Sequence, residues 1–271
     1  MKVTIVAPCG NVNLTRLNAG VARLQQLGFD VDVHPQCFAK GKYSAGPAAL
    51  RLQALLEAVG DVVWCARGGY GSAKMLPLME GVQPTGRKTF VGYSDATALH
   101  PFLAHRWGWR TIHGPMPAAA QTLPDEDWQA TAEVVRGGRP APVQLTWLTD
   151  PPTQAITGPL VGGNLTVWNT LTGTPWQPSA DGAMLLLEDI REDGYAIDRM
   201  MTQLRQAGGL SGVRAIVLGS FTRGPDADEL AKLFGDLGVP VALGHEASHG
   251  RRCPPVVLNV EHTLGVDGVL E

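Results

Sequence analysis

Cysteine is rare in this chain: four stand in 271 residues, at positions 9, 37, 65 and 253, and no two form a C-x-x-C pair. That scatter disfavours both a zinc knuckle and a disulfide framework, so reduced thiols are expected. Cys9, which follows Pro8, could border a site, although a buried thiol more often acts as a small hydrophobe. Long apolar runs are missing too; nothing approaches the roughly 18 residues of a membrane span. The opening "MKVTIVAPCG" is cut short by Pro8 and Gly10, too early for a signal-peptide core, and reads as a first β-strand of a soluble, cytoplasmic chain. No charge of one sign dominates, since the net charge is −3 and there is no Lys/Arg run. Nucleic acid and anionic membrane are therefore not expected as partners, and a small solute is. Neither a phosphate loop, G-x-x-x-x-G-K-[ST], nor the dinucleotide fingerprint G-x-G-x-x-G occurs.

What is present is rhythm. Short β-rich runs alternate with amphipathic segments, as in "VTIVAP" then "LTRLNAGVARLQQLG", "DVVWCARGG" then "SAKMLPLME", and "KTFVGYS" then "ATALHPFLAHRWG". Strands of four to eight residues alternating with helical patterns point to βαβ units. The expected class is α/β: a mainly parallel, Rossmann-like sheet with helices over 1–136, a Pro/Gly/Thr-rich linker region over 137–158, and a smaller α/β or α+β domain over 159–271, with the active site in a cleft between them. Ligands gather at the carboxyl ends of parallel strands, which here carry Gly68, Gly69, Tyr70, Ser94 and His113.

Ser94, in "TFVGYSDATALH", has two readings. It could cap the following helix, as serine commonly does, or a tight turn could lift its hydroxyl toward a substrate. A serine nucleophile needs a base oriented by a carboxylate. Glu188 ends the apolar run "MLLLE", while His245 and His249 follow "VPVAL". Alternatives exist for each: a solvated carboxylate, a cation site with Asp189, Glu192 and Asp193, or polar loop histidines. The acidic cluster lacks the calcium-loop spacing, and the histidines sit among glycines rather than on a helix. Gly68 and Gly69 would let a backbone N–H approach a ligand atom closely.

The motifs "RGGYGSAKML", "FVGYSDATAL", "HGPM", "GGNLTVWNTLTGTP" and "LLLEDIREDGYAIDRMMTQLRQAG", in that order and spanning nearly the whole chain, resemble the serine LD-carboxypeptidases, the muramoyltetrapeptide carboxypeptidase family. The resemblance implies a cytoplasmic, homodimeric serine peptidase that removes the terminal D-alanine of murein tetrapeptides in cell-wall recycling, with no metal or organic cofactor. By the family's pattern Ser94 is the nucleophile, Glu188 orients the base, and the N–H groups of Gly69 and Asp95 form the oxyanion hole. Counted from Pro240 and Val241, the family's spacing falls on His249 rather than His245. Ser248 replaces the family's usual glycine, and "RRCPPV" replaces a longer segment.

Arg67, Tyr70, His113 and Asn164 are the candidate substrate-binding residues. Arg67 is the candidate for the terminal carboxylate, with a buried structural ion pair as its alternative. Two other functions compete. Microcin-immunity peptidases share the motifs but resemble longer chains with an added aromatic-bearing loop that stacks on a nucleobase. A non-catalytic binding protein would use Ser94 and Glu188 only as hydrogen-bonding groups.

Overall fold

In the computed structural model, which describes residues 1–247 and 249–271, the expected alternation becomes five parallel strands joined by helices. The strands are β1 (Lys2–Val6), β2 (Asp30–Val33), β3 (Val62–Cys65), β4 (Thr89–Val91) and β5 (Arg110–His113). They lie in the order β5-β4-β3-β1-β2, each neighbouring pair parallel. Between them run α1 (Leu14–Gln26), α2 (Ala48–Glu57), the short α3 (Leu76–Met79) and α4 (His100–Trp107), with α5 (Asp125–Val135) after β5. The central strand β3 is buried at every residue, as a parallel strand covered on both faces should be. Trp64 in β3 stacks on Trp128 of α5 with ring centroids 6.2 Å apart, and its indole N–H donates to the Pro115 carbonyl at 2.6 Å. This is the usual arrangement for a buried indole N–H.

This unit comprises Met1–Arg139 together with Pro254–Val256; the other comprises Pro140–Cys253 and Val257–Glu271. The second unit is built on a mixed sheet. Its strands are β6 (Val143–Gln144), β7 (Thr146–Trp147), β8 (Ile156–Asn164), β9 (Met184–Ile190), β10 (Ala215–Thr222), β11 (Val241–Leu243), β13 (Glu261–Leu264) and β14 (Val269–Leu270), the strand β12 (Val256–Leu258) belonging to the other sheet. The order is β6-β14-β13-β8-β9-β10-β11-β7. Strands β8 to β11 are parallel, and the flanking pairs are antiparallel. Helices α6 (Leu165–Thr170), α7 (Gly194–Gln206) and α8 (Ala227–Phe234) connect the parallel strands. Leu185 and Leu187 of β9, Ile216 and Leu218 of β10, Ile197 and Leu204 of α7, and Trp168 of α6 form the core between sheet and helices. No described helix is long and apolar enough to cross a membrane.

One expectation changes. The segment 137–158 is not a linker: it contains β6, β7 and the start of β8. Its prolines, Pro140, Pro142, Pro151 and Pro152, lie between the strands, where a missing N–H costs no ladder bond. The terminal "PVVLNVEHTLGVDGVLE" forms a hairpin only from β13 onward, through the pairing of Leu264 with Leu270.

Glycines set how closely β8 and β9 approach. Gly162 has φ +115°, and a β-carbon there would lie 2.1 Å from the Leu186 carbonyl oxygen. Backbone strain of this kind costs about 1–3 kcal/mol for a non-glycine residue, before any clash. Gly162→Ala should therefore destabilise the second unit by about 2 kcal/mol or more. A denaturant midpoint matching the wild type would show that the strand tolerates the side chain.

Candidate active site

Strand β4 ends in a turn whose geometry is set by small residues. Gly92 receives no side chain because a β-carbon would lie 2.8 Å from Cys65 Cβ and 3.1 Å from Ala96 Cβ. Its carbonyl accepts a 2.9 Å hydrogen bond from Nε2 of the fully buried His100. Burial lowers the His100 pKa to about 4, so the ring is neutral and Nε2 carries the proton that the carbonyl accepts. Two residues on, Ser94 has φ +64°, a left-handed conformation that L-residues with a β-carbon adopt at a cost. A 3₁₀ turn over Ser94–Ala98 follows; its N-cap is Tyr93, with no side-chain capping bond. The capping reading of Ser94 therefore fails, because the residue sits inside the turn. A strained, small-residue strand-to-helix turn with the hydroxyl at its apex is the geometry of a nucleophile elbow.

The loop after β3 meets this turn. A β-carbon on Gly68 would stand 2.6 Å from Ser94 Oγ and 3.5 Å from Asp95 N, so hydroxyl and amide converge on the α-carbon of Gly68. Gly69 has φ +113°. The Gly68 carbonyl is held by Gly10 N at 3.0 Å and by Arg67 Nε at 3.1 Å. Arg67 also donates through Nη1 to the Asn11 carbonyl at 3.0 Å; it ties two loops through backbone carbonyls, not through a buried ion pair. Asp95 is buried, and its Oδ2 accepts from Ser72 N at 2.9 Å while its carbonyl accepts from Ser72 Oγ. Tyr70 is half exposed, and His113 is buried with its ring 5.6 Å from that of Tyr93. Cys9 lies fully buried, its sulfur 3.9 Å from that of Cys65.

In the second unit Glu188 lies within β9, which continues to Ile190, rather than at the strand end. The carboxylate is fully buried. Gly219 of β10 makes room for it, since a β-carbon there would lie 2.8 Å from Glu188 Cβ, at the place where the β9–β10 register shifts between Leu218 and Phe221. Nδ1 of His249 donates to Glu188 Oε2 at 2.8 Å across 61 residues of sequence. Burial pushes the His249 pKa down, but the charge and hydrogen bond of Glu188 and the charge of Asp189 outweigh it, and the net shift is upward. With Nδ1 as donor, Nε2 of the neutral ring is the acceptor.

His245 is a different residue physically. It is fully enclosed, its Nδ1 accepts from Ala247 N at 3.2 Å, and burial first, then the charge of His262, lowers its pKa to about 4. Ser248, between the two histidines and singled out in the sequence, lies outside the described residues.

The acidic cluster resolves into a structural device. Asp189 Oδ2 accepts from Thr166 N and Oγ1, each at 2.8 Å, and its Oδ1 accepts from Asn164 Nδ2 at 2.9 Å and from its neighbour Ile190 N at 2.8 Å. Asn164 pairs in register with Glu188, and its Oδ1 caps α6 by accepting from Val167 N at 3.1 Å. Among the described residues no group of three or more His, Cys, Asp or Glu side chains could hold a metal ion.

Sequence reasoning missed the supports. Arg51 is buried and donates to three carbonyls, those of Pro8, Gly46 and Gly71. Ser72 and His100 brace the turn, and Asp189 braces α6. None has a sequence signal of its own, because each acts through backbone atoms of distant segments.

Comparison with known proteins gives the family. The profile of the LD-carboxypeptidase N-terminal domain matches residues 3–114, and that of the LD-carboxypeptidase C-terminal domain matches residues 157–264. A Rickettsia conorii protein provisionally named a carboxypeptidase is 36% identical over 97% of this chain and 88% of its own. The murein tetrapeptide carboxypeptidase of Pseudomonas aeruginosa is 31% identical over 92% of this chain and 87% of its own. Among solved structures, the muramoyltetrapeptide carboxypeptidase of Oxalobacter formigenes superposes with a TM-score of 0.83 at 26% identity, covering 100% of this chain and 97% of that one. The microcin C7 self-immunity protein MccF also reaches 0.83, but at 20% identity over 99% and 94%, a likeness of fold. The chain belongs to the LD-carboxypeptidase family.

Proposed function

We propose that the chain is a serine LD-carboxypeptidase that releases the terminal D-alanine of murein tetrapeptides, with Ser94 as nucleophile, His249 as base and Glu188 as the orienting carboxylate. The observation that carries this reading is the 2.8 Å hydrogen bond from His249 Nδ1 to the buried Glu188. It presents Nε2 as the basic atom, which is the role the middle member of a triad performs. The left-handed turn at Ser94 and the converging Asp95 amide supply the other half of the argument.

In this mechanism His249 Nε2 takes the Ser94 proton as Oγ attacks the carbonyl of the penultimate residue. The N–H groups of Gly69 and Asp95 receive the developing oxyanion. The imidazolium returns its proton to the amine of D-alanine, which leaves; water then repeats the attack on the acyl-enzyme, assisted by the same ring. Arg67 is the candidate for the substrate's terminal carboxylate, and Tyr70, His113 and Asn164 line up as secondary contacts in the proposal. The same reading makes the enzyme a cytoplasmic homodimer acting in cell-wall recycling. The choice of a murein tetrapeptide as substrate rests on the name and 31% identity of the Pseudomonas aeruginosa relative, since the likeness to MccF at 20% identity speaks only for the fold.

Ser94→Ala should abolish D-alanine release from a murein tetrapeptide while leaving the fold intact, and wild-type-like release by the folded variant would end the serine mechanism. His249→Ala should fall near the same level, and the double variant should be scarcely worse than either single one, because members of a triad act as a unit. His245→Ala should retain most activity per folded molecule; the reverse ranking would exchange the two histidines.

The pH profile tests the carboxylate. His249 must be neutral to act as base, and its pKa is raised by Glu188, so activity should rise with pH through a midpoint above the usual imidazole value of about 6.5. Glu188→Gln removes the charge that raises it. The midpoint should then move to lower pH while the rate falls by something on the order of 10⁴, as when a triad carboxylate becomes an amide. An unmoved midpoint would show that Glu188 does not act on the ring.

A further inference from the structure

The loops after β2 and β3 in the first unit carry an unusual surface. Tyr43 and Tyr70 are 60% and 50% exposed, in a chain with only four tyrosines. Their rings meet edge to face with centroids 6.0 Å apart. Lys42 Nζ lies 5.1 Å from the Tyr43 ring and Lys74 Nζ 5.0 Å from the Tyr70 ring. Neither ammonium belongs to an ion pair among the described residues. The loops also touch each other, since a β-carbon on Gly71 would lie 3.0 Å from Ser44 Cβ.

Charge is segregated around this pair. Residues 34–56 and 62–79 contain Lys40, Lys42, Arg51, Arg67 and Lys74 and not one Asp or Glu, although the whole chain has a net charge of −3. Arg51, Arg67 and Lys40 are engaged with backbone carbonyls, which leaves the ammonium groups of Lys42 and Lys74 beside the two amphipathic rings, a pairing suited to an anion carried on an organic ligand.

The sheet order gives the distance. Ser94 follows β4, the glycine loop follows β3, and the Tyr43 loop follows β2, with β1 between. Neighbouring strands lie about 4.8 Å apart, so the β4-to-β2 offset is about 14 Å. An extended peptide advances about 3.4 Å per residue, so the Tyr70 loop, one strand over, lies about one residue and the Tyr43 loop about four residues from a carbonyl at Ser94. A carboxypeptidase has a single residue on the leaving side, so a ligand reaching this far is on the acyl side. Resting on the function proposed above, we infer that Lys42, Tyr43, Tyr70 and Lys74 form a subsite for a free carboxylate on the acyl-side portion of the peptide, with the lysines as counter-charges and the tyrosine rings as its floor.

The test compares two murein tetrapeptides, one with a free carboxylate on its second residue and one with that carboxylate amidated. Wild type should prefer the acid by about tenfold or more in kcat/KM, mostly through KM, corresponding to roughly 1.4 kcal/mol. In Lys42→Met/Lys74→Met the acid-to-amide ratio should fall to within about twofold of one. Lys2→Met, at the opposite end of β1, should keep the wild-type ratio. Calorimetric binding of both peptides to Ser94→Ala gives the same comparison without turnover. An equal response of wild type to both peptides, or a ratio unchanged in the double variant, overturns the subsite alone. Failure of wild type to release D-alanine from either peptide overturns the function on which it rests.

Discussion

The first unit is organised around a single backbone conformation, the left-handed turn at Ser94. A non-glycine residue held at φ +64° stores strain of order 1–3 kcal/mol that the surroundings must over-determine. They do so from four sides. Gly92 is excluded from bearing a side chain by Cys65 and Ala96, and Gly68 by Ser94 itself. His100 holds the carbonyl before the turn, and Ser72 holds both the carboxylate and the carbonyl of the residue after it. These contacts come from β3 and the stretch that follows it, from α4 and from the turn itself, so the conformation of Ser94 is held by tertiary packing and not by local sequence alone.

The second unit solves a different problem, which is how to keep a carboxylate in the middle of a sheet. An unpaired buried carboxylate costs several kcal/mol. Glu188 meets that constraint with one charge-assisted bond to His249, while the neighbouring Asp189 meets it with four donors that tie β9 to the start of α6. Adjacent acidic residues on one strand point to opposite faces, and this alternation gives one a histidine partner and the other the start of a helix. The same pair of facts distinguishes the histidines. His249 faces a carboxylate and is pulled toward the charged form, whereas His245 is closed in and pushed toward the neutral one.

Much of this was legible in the sequence, and the reason is geometric. Parallel strands put their carboxyl ends on one edge, so Gly68 and Ser94 stand out by position once the alternation is read, whereas Glu188, inside β9, stands out only as a carboxylate closing an apolar run. The choice of His249 needed the family's spacing; composition alone left it level with His245. What could not be read is whatever acts through backbone atoms. Arg51, buried against three carbonyls, looks in the sequence like any helical arginine. The segment 137–158 failed for another reason: its prolines stand between the strands, and strands of two residues such as β6 and β7 are too short to show an alternation.

Gly68 illustrates how far such reasoning can be taken from a single residue. As sequence, a glycine pair after an apolar strand suggests only close backbone approach. As structure, the volume that its β-carbon would occupy is bounded by Ser94 Oγ at 2.6 Å and Asp95 N at 3.5 Å, which are the nucleophile and an oxyanion donor of the proposed chemistry. Any side chain at 68 would collide with the hydroxyl, so the position must stay bare for the turn to form at all. The requirement for glycine at this point is therefore imposed by the fold before any substrate arrives, and the placement of a backbone amide beside a serine hydroxyl follows from packing a left-handed turn against an unsubstituted α-carbon.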